Sequence, residues 1–247
     1  MSTGRTSGRR ATLARSVALF RAFRVEQTDP GRFYRVLAAD SVDQLSAFAD
    51  LADATVLDVG GGPGFFADAF RDAGARYFSL DADVGEMRAH GLAQEGTVVG
   101  SGTRLPFADG AVDVCYSSNV LEHVATPWVM ADEMIRVTRP GGTVFVSFTV
   151  WLGPWGGHET SPWHWLGGER AARRYESRHG HPPKNRFGES LFAVSVGEAL
   201  RWARSRRTAE LVSAFPRYAP DWARGLVRVP GLREVATWNL ALVLRVR

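Results

Sequence analysis

Cysteine is nearly missing. Cys115 is the sole one in 247 residues, so no intrachain disulfide framework can form and a reducing compartment is expected. It falls within the apolar run 112–116, where filling a buried strand accounts for it. No cysteine pair and no spaced histidine pair offers tetrahedral ligands, so no metal is expected. Lysine is as scarce: Lys184 is alone among 30 basic residues. That arginine bias reflects GC-rich coding at least as well as it reflects a ligand, and a bacterial source is expected. No window approaches about 18 continuous apolar residues, so no transmembrane segment is expected. The N-terminus lacks the apolar core of a secretory signal, although its Arg- and Ser-rich opening superficially resembles a transit peptide; the expected location is cytoplasmic. The net charge of +4 suits nucleic acid in principle. No Asn-Pro-Pro-Tyr-type base-flipping signature or basic cluster with interleaved aromatics accompanies it, so no nucleic-acid partner is expected.

Glycine, by contrast, is placed with purpose. The stretch Val56-Leu57-Asp58-Val59-Gly60-Gly61-Gly62-Pro63-Gly64 follows a β-branched, apolar run and precedes helical spacing over 65–73. Glycines at 60, 62 and 64 let backbone approach a ligand closely and adopt torsions that a Cβ disfavours. A second apolar run ends at Asp81, about 20 residues on, where a carboxylate accepts ribose hydroxyls. The pair reads as an adenosine-cofactor site. A dinucleotide fingerprint on Gly60 and Gly62 needs a third glycine where Phe65 stands, which disfavours a pyrophosphate.

The pattern Asp58-x-Gly60-x-Gly62-x-Gly64 resembles motif I of the class I S-adenosylmethionine-dependent methyltransferases. Leu105-Pro106-Phe107, Ser118-Asn119-Val120-Leu121-Glu122-His123-Val124 and Val137-Thr138-Arg139-Pro140-Gly141-Gly142 follow in order and look like the methyltransferase type 11 group. The resemblance covers roughly 54–150. It implies S-adenosylmethionine as cofactor, met by Asp58, Gly60, Gly62, Gly64, Asp81, Ser101, Gly102, Leu105, Ser118, Asn119 and His123. One departure stands out: the family usually carries an acid at the end of strand three, near the adenine amino group. Here the segment is Gly100-Ser101-Gly102, and Ser101 can accept a hydrogen bond without supplying charge.

Along the chain, 1–10 is polar and basic and reads as a disordered tail. Residues 11–51 read as N-terminal helices over the cofactor site, with Leu13, Val17, Leu19, Phe20 and Phe23 on one arc and Arg10, Arg15 and Arg21 outside it. That helix either packs on the domain or meets a membrane surface or the substrate, so peripheral membrane contact stays open. The methyltransferase domain spans 52–247. Strands are expected near 55–59, 76–80, 97–99, 112–116, 142–149, 210–214 and 238–246, alternating with helices. This is an α/β, doubly wound, Rossmann-like sheet with helices on both faces. The resemblance implies strand order 3-2-1-4-5-7-6 with strand seven antiparallel.

Residues 151–191 form a long insert rich in Gly, Pro, Trp and His. Glycine, proline, tryptophan and histidine at this density do not build a regular element, and a long irregular insert over a site mouth is usually functional or disordered, with the aromatic content arguing against disorder. It reads as a substrate lid with Trp151, Trp155, Trp163 and Trp165 as walls; the alternative is a loop that the tryptophans merely pin. The expected partner is a small apolar or aromatic acceptor. His158 and Glu159, just beyond strand five, are the candidate catalytic bases. His123 reads mainly as structural, and Glu122 as orienting the helix after it. A nucleic-acid methyltransferase and a non-catalytic cofactor-binding protein remain alternatives, and nothing in the sequence sets the oligomeric state.

Overall fold

The computed structural model describes residues 10–26, 28–83 and 96–247. Seven strands make one sheet: β1 (Thr55–Val59), β2 (Arg76–Asp81), β3 (Thr97–Val99), β4 (Val112–Ser118), β5 (Thr138–Thr149), β6 (Ala209–Pro216) and β7 (Asn239–Val246). Their order is β3-β2-β1-β4-β5-β7-β6. The first five pair in parallel, while β7 runs antiparallel to both β5 and β6. The expected Rossmann-like topology is therefore present. The carboxyl ends of the parallel strands share one edge, and ligands of such sheets bind there.

Both faces are buried, because strand side chains alternate. Leu57, Cys115, Val144 and Leu242 point to one side, against Met130 and Met134 of α4 (Pro127–Val137) and Trp202 of α6 (Val196–Ser205). Val56, Tyr116, Phe145 and Val243 point to the other, against α1 (Leu13–Phe23), α2 (Pro30–Leu45) and α3 (Ala67–Asp72). Cys115 is fully buried within β4, the filler position that its sequence context indicates.

Local signals set the helix ends. Asp29 caps α2 by accepting from the Arg32 N–H, with Pro30 in the first turn, and Ser195 and Glu198 form a capping box on α6. α2 closes at Leu45, short of the expected residue 51. The apolar arc of α1 is only partly covered: Leu19 and Ala22 are buried, whereas Leu13 is 61% exposed and Val17 40%. Arg15, expected on the solvent side, forks onto Asp40 of α2 instead. The proposed tail lies outside the described residues, apart from Arg10.

The insert corrects the sequence reading. It contains two short 3₁₀ turns, His158–Thr160 and Trp163–Leu166, and then a regular helix, α5 (Gly168–His179). Between Gly168 and Gly180 the chain has no glycine or proline, and Glu, Arg and Ala favour a helix there. Ala171 and Ala172 are its buried side, and Gly180 ends it in the left-handed conformation.

Candidate active site

The glycine turn leaves β1 at the open edge of the sheet. Gly60, Gly62 and Gly64 have φ of +81°, +51° and +83°, a region that L side chains rarely adopt. A Cβ on Gly60 would strike the γ-methyls of Val120 at 2.4 and 2.7 Å. Among the described residues, a Cβ at Gly62 would meet nothing nearer than Asp81 Oδ2 at 4.0 Å, so the face of that residue forms a cradle. Asp81 Oδ2 accepts from the Gly62 N–H at 2.8 Å, and its Oδ1 accepts from the Asp83 N–H at 2.8 Å. One carboxylate thus ties the end of β2 to the turn and stands beside the cradle. Asp58 lies beneath the turn rather than at its mouth. It is buried and accepts from the Tyr77 hydroxyl at 2.7 Å, and burial, reinforced by the nearby Asp81, pushes its carboxyl up to about 7.

Beyond β3, Ser101 is exposed, with its Oγ 2.8 Å from the Thr103 hydroxyl. A Cβ on Gly102 would meet Met130 Sδ at 3.1 Å, which ties that glycine to α4 packing. Leu105 is buried in the core, and its N–H donates to Glu133 Oε2.

Past the ends of β4 and β5 the polar groups cluster. Asn119, at φ +57°, accepts from Asn239 Nδ2 at 2.6 Å, and its Nδ2 donates to the Tyr218 hydroxyl at 3.2 Å. Ser118 accepts from Arg217 at 2.6 Å. Arg217 is fully buried and also donates to the hydroxyls of Ser147, Ser41 and Tyr116. His123 Nδ1 lies 2.7 Å from the Ser190 carbonyl. The His123 and His158 rings meet edge to face, with centroids 5.0 Å apart. Glu122 is buried; its Oε1 accepts from the Thr149 N–H at the end of β5. Sequence spacing could not assemble this trio, because His158 reaches Glu122 and His123 only when β5 lies beside β4. Burial lowers the pKa of His158, favouring the neutral ring. Glu159 turns elsewhere and accepts from Asn185 at 2.8 Å.

The four tryptophans divide. Trp155 joins Phe20, Phe23 and Trp238 in an aromatic group, at centroid distances of 5.7, 5.8 and 4.7 Å. Tyr218 extends it, 5.0 Å from Trp238 and in hydrogen-bond contact with Asn119. Trp151 packs on Phe187 and on the buried His164, which pins the insert through the Gly153 carbonyl. Trp163 and Trp165 are 44% and 53% exposed, the first beneath the Arg174 guanidinium and the second donating to the Leu152 carbonyl. Sequence reasoning did not single out Trp238, Tyr218, Arg217 or Asn239. The sequence signal available was a Trp-Asn pair opening the last apolar run. On the other side of the mouth, Tyr34 of α2 stacks on Phe65, next to the glycine turn, at 4.9 Å.

A seven-stranded sheet with β7 reversed, and a glycine turn answered by a carboxylate at the end of β2, define the class I methyltransferase fold. A family model described as a methyltransferase domain matches residues 57–146. An uncharacterized methyltransferase of Mycolicibacterium gilvum is 58% identical over 247 residues, covering 96% of each chain. One from Mycolicibacterium vanbaalenii is 57% identical over 246 residues, with the same coverage. Among solved structures, an S-adenosylmethionine-dependent methyltransferase from Mesorhizobium loti superposes with a TM-score of 0.58 at 17% identity, over 86% of this chain and 97% of that one. A TehB-like one from Corynebacterium glutamicum gives 0.55 at 16%, over 96% and 100%. These two show the fold. The chain belongs to the methyltransferase family of these relatives, with its methyltransferase domain at residues 57–146.

Proposed function

We propose that the chain binds S-adenosylmethionine across the carboxyl ends of β1 and β2 and transfers its methyl group to a small, largely apolar or aromatic acceptor. The cofactor fits the cradle over Gly62, where no side chain of the described residues intrudes and Asp81 stands ready for the ribose hydroxyls. Ser101 and the backbone around it are left to meet the adenine. When bound, the cofactor supplies an electrophilic methyl on a sulfonium sulfur, so the protein's task is alignment and exclusion of water.

The observation that carries the acceptor assignment is the aromatic group Phe20, Phe23, Trp155, Trp238 and Tyr218. It draws α1, the insert and the β6–β7 end together beside Asn119. Rigid rings offer apolar area at little entropic cost, and their polar rim supplies orientation. His158 and His123 flank the acceptor on the β4–β5 side, where their ring nitrogens can hold an acceptor oxygen. Glu159, engaged by Asn185, positions the insert rather than the acceptor. A nucleic-acid substrate is disfavoured because several surface arginines are held by carboxylates, among them Arg136–Asp109, Arg139–Asp113 and Arg206–Asp132.

The test uses methyl-labelled cofactor with small-molecule extract and with total RNA. Label should enter a low-polarity fraction of the extract, and Trp155→Ala should cut that turnover at least tenfold while cofactor affinity stays within twofold. Label entering RNA alone, or a Trp155→Ala variant with unchanged turnover, would overturn the acceptor assignment.

A further inference from the structure

We propose that Glu122, His123 and His158 form a binding site for a divalent cation, and that zinc suits their donor set best. This goes beyond methyl transfer and does not depend on it. One potential ligand atom from each residue lies within 4.8 Å of the other two. Around a zinc ion with bonds of about 2.0–2.2 Å, tetrahedral ligands stand about 3.4 Å apart. Side-chain rotations that draw the atoms together by up to about 1.4 Å therefore bring all three into bonding range of one ion.

Two further observations point to a ligand. Glu122 is 1% exposed, and while its Oε1 accepts from the Thr149 N–H, its Oε2 is buried with no hydrogen-bond partner among the described residues. An orphaned carboxylate oxygen in the interior is costly, and a cation beside it removes the cost. The second concerns the histidines. His123 Nδ1 faces the Ser190 carbonyl at 2.7 Å, an acceptor only, so that nitrogen carries a proton and Nε2 is the ring atom left to bind a metal. His158 repeats the arrangement more loosely, with Nδ1 3.4 Å from the Gly156 carbonyl. Metal-bound histidines are commonly fixed by such a contact from the other ring nitrogen. Two imidazoles and one carboxylate make a three-ligand set of the type that leaves a fourth position open. Here that position lies beyond β4 and β5, on the acceptor side. An acceptor carrying a hydroxyl, carboxylate or enol oxygen could complete the coordination.

The full-length protein, stripped with chelator, is titrated with Zn²⁺ against a chromogenic indicator, and with Co²⁺ for the visible absorption of a low-coordinate site. One equivalent should bind. Glu122→Gln, which keeps an oxygen for the Thr149 N–H, should weaken binding at least tenfold, as should His123→Asn and His158→Asn. His181→Asn, at an exposed histidine just past the C-terminal end of α5, should leave it unchanged. Cofactor affinity of the wild-type protein is measured by calorimetry on the same preparation, and a far-ultraviolet circular dichroism spectrum and melting temperature like the wild type's show that each variant is folded. Uptake of no zinc, or uptake that survives all three substitutions, would overturn the site. Zinc uptake without cofactor binding would uphold the site while removing the methyltransferase reading, and the reverse result would remove the site alone.

Discussion

Replacing Gly60 by alanine should damage the protein in two separable ways. The backbone there sits at φ +81°, which costs an alanine about 1 kcal/mol. Its Cβ would also stand 2.4 and 2.7 Å from the two γ-methyls of Val120, in the segment that follows β4. Overpacking of that kind costs about 1–3 kcal/mol, so urea denaturation should show a total loss of about 2–4 kcal/mol. Val120→Ala in the same chain deletes both methyls. It should return the steric part and leave the backbone part, giving a coupling of about 1–3 kcal/mol in the double-mutant cycle. Calorimetry with S-adenosylmethionine should follow the same order, with Gly60→Ala at least tenfold weaker and the double variant intermediate. Additive effects, with coupling below about 0.5 kcal/mol, would mean that the turn does not lie against Val120 and that the account of Gly60 is wrong.

Asp58 gives a pH-dependent prediction. Its pKa is raised from 3.8 in the unfolded chain to about 7 in the folded one, so its contribution to stability is present below about pH 4 and is lost as pH rises toward 7; the gap corresponds to about 4 kcal/mol. Asp58→Asn, which still accepts from Tyr77, should match the wild type at pH 4 and exceed it at pH 8 in denaturant midpoint; equal pH dependence of the two would refute the assignment. Arg217 is buried, and its donors bind four hydroxyls from α2, β4 and β5. Arg217→Ala should therefore cost about 3–5 kcal/mol by thermal or chemical melting, and a loss under about 1 kcal/mol would show that the hydroxyls find other partners.

Much of the fold was legible because it rests on local patterns. The apolar runs at β1, β2 and β4, and the glycines that must turn sharply after β1, state their structure in consecutive residues. Asp81 was legible as well, since its distance from the turn is set by one helix and one strand. α5 was not, because the flanking Gly-, Pro- and Trp-rich motifs drew the reading away from the plain helix-forming run between them. The aromatic group was half legible: Trp155 stands out in a loop, but Trp238 opens an ordinary-looking strand and Phe23 looks like helix core. The meeting of Glu122 and His123 with His158 depends on strand order, and no spacing rule within a single segment reports it. Arg217 illustrates the same limit, since its hydroxyl partners come from three elements far apart in sequence.

The central claim, that the turn after β1 and Asp81 hold S-adenosylmethionine, is tested most directly by titrating the protein with S-adenosylmethionine, its demethylated product and NAD in a calorimeter, alongside Asp81→Ala. The account predicts saturable one-to-one binding of the first two and none of NAD. In Asp81→Ala, affinity should fall by at least tenfold, as loss of a charge-assisted contact worth about 1.5–3 kcal/mol requires. Tight NAD binding, or an Asp81→Ala variant whose affinity for S-adenosylmethionine stays within twofold of the wild type, would contradict it.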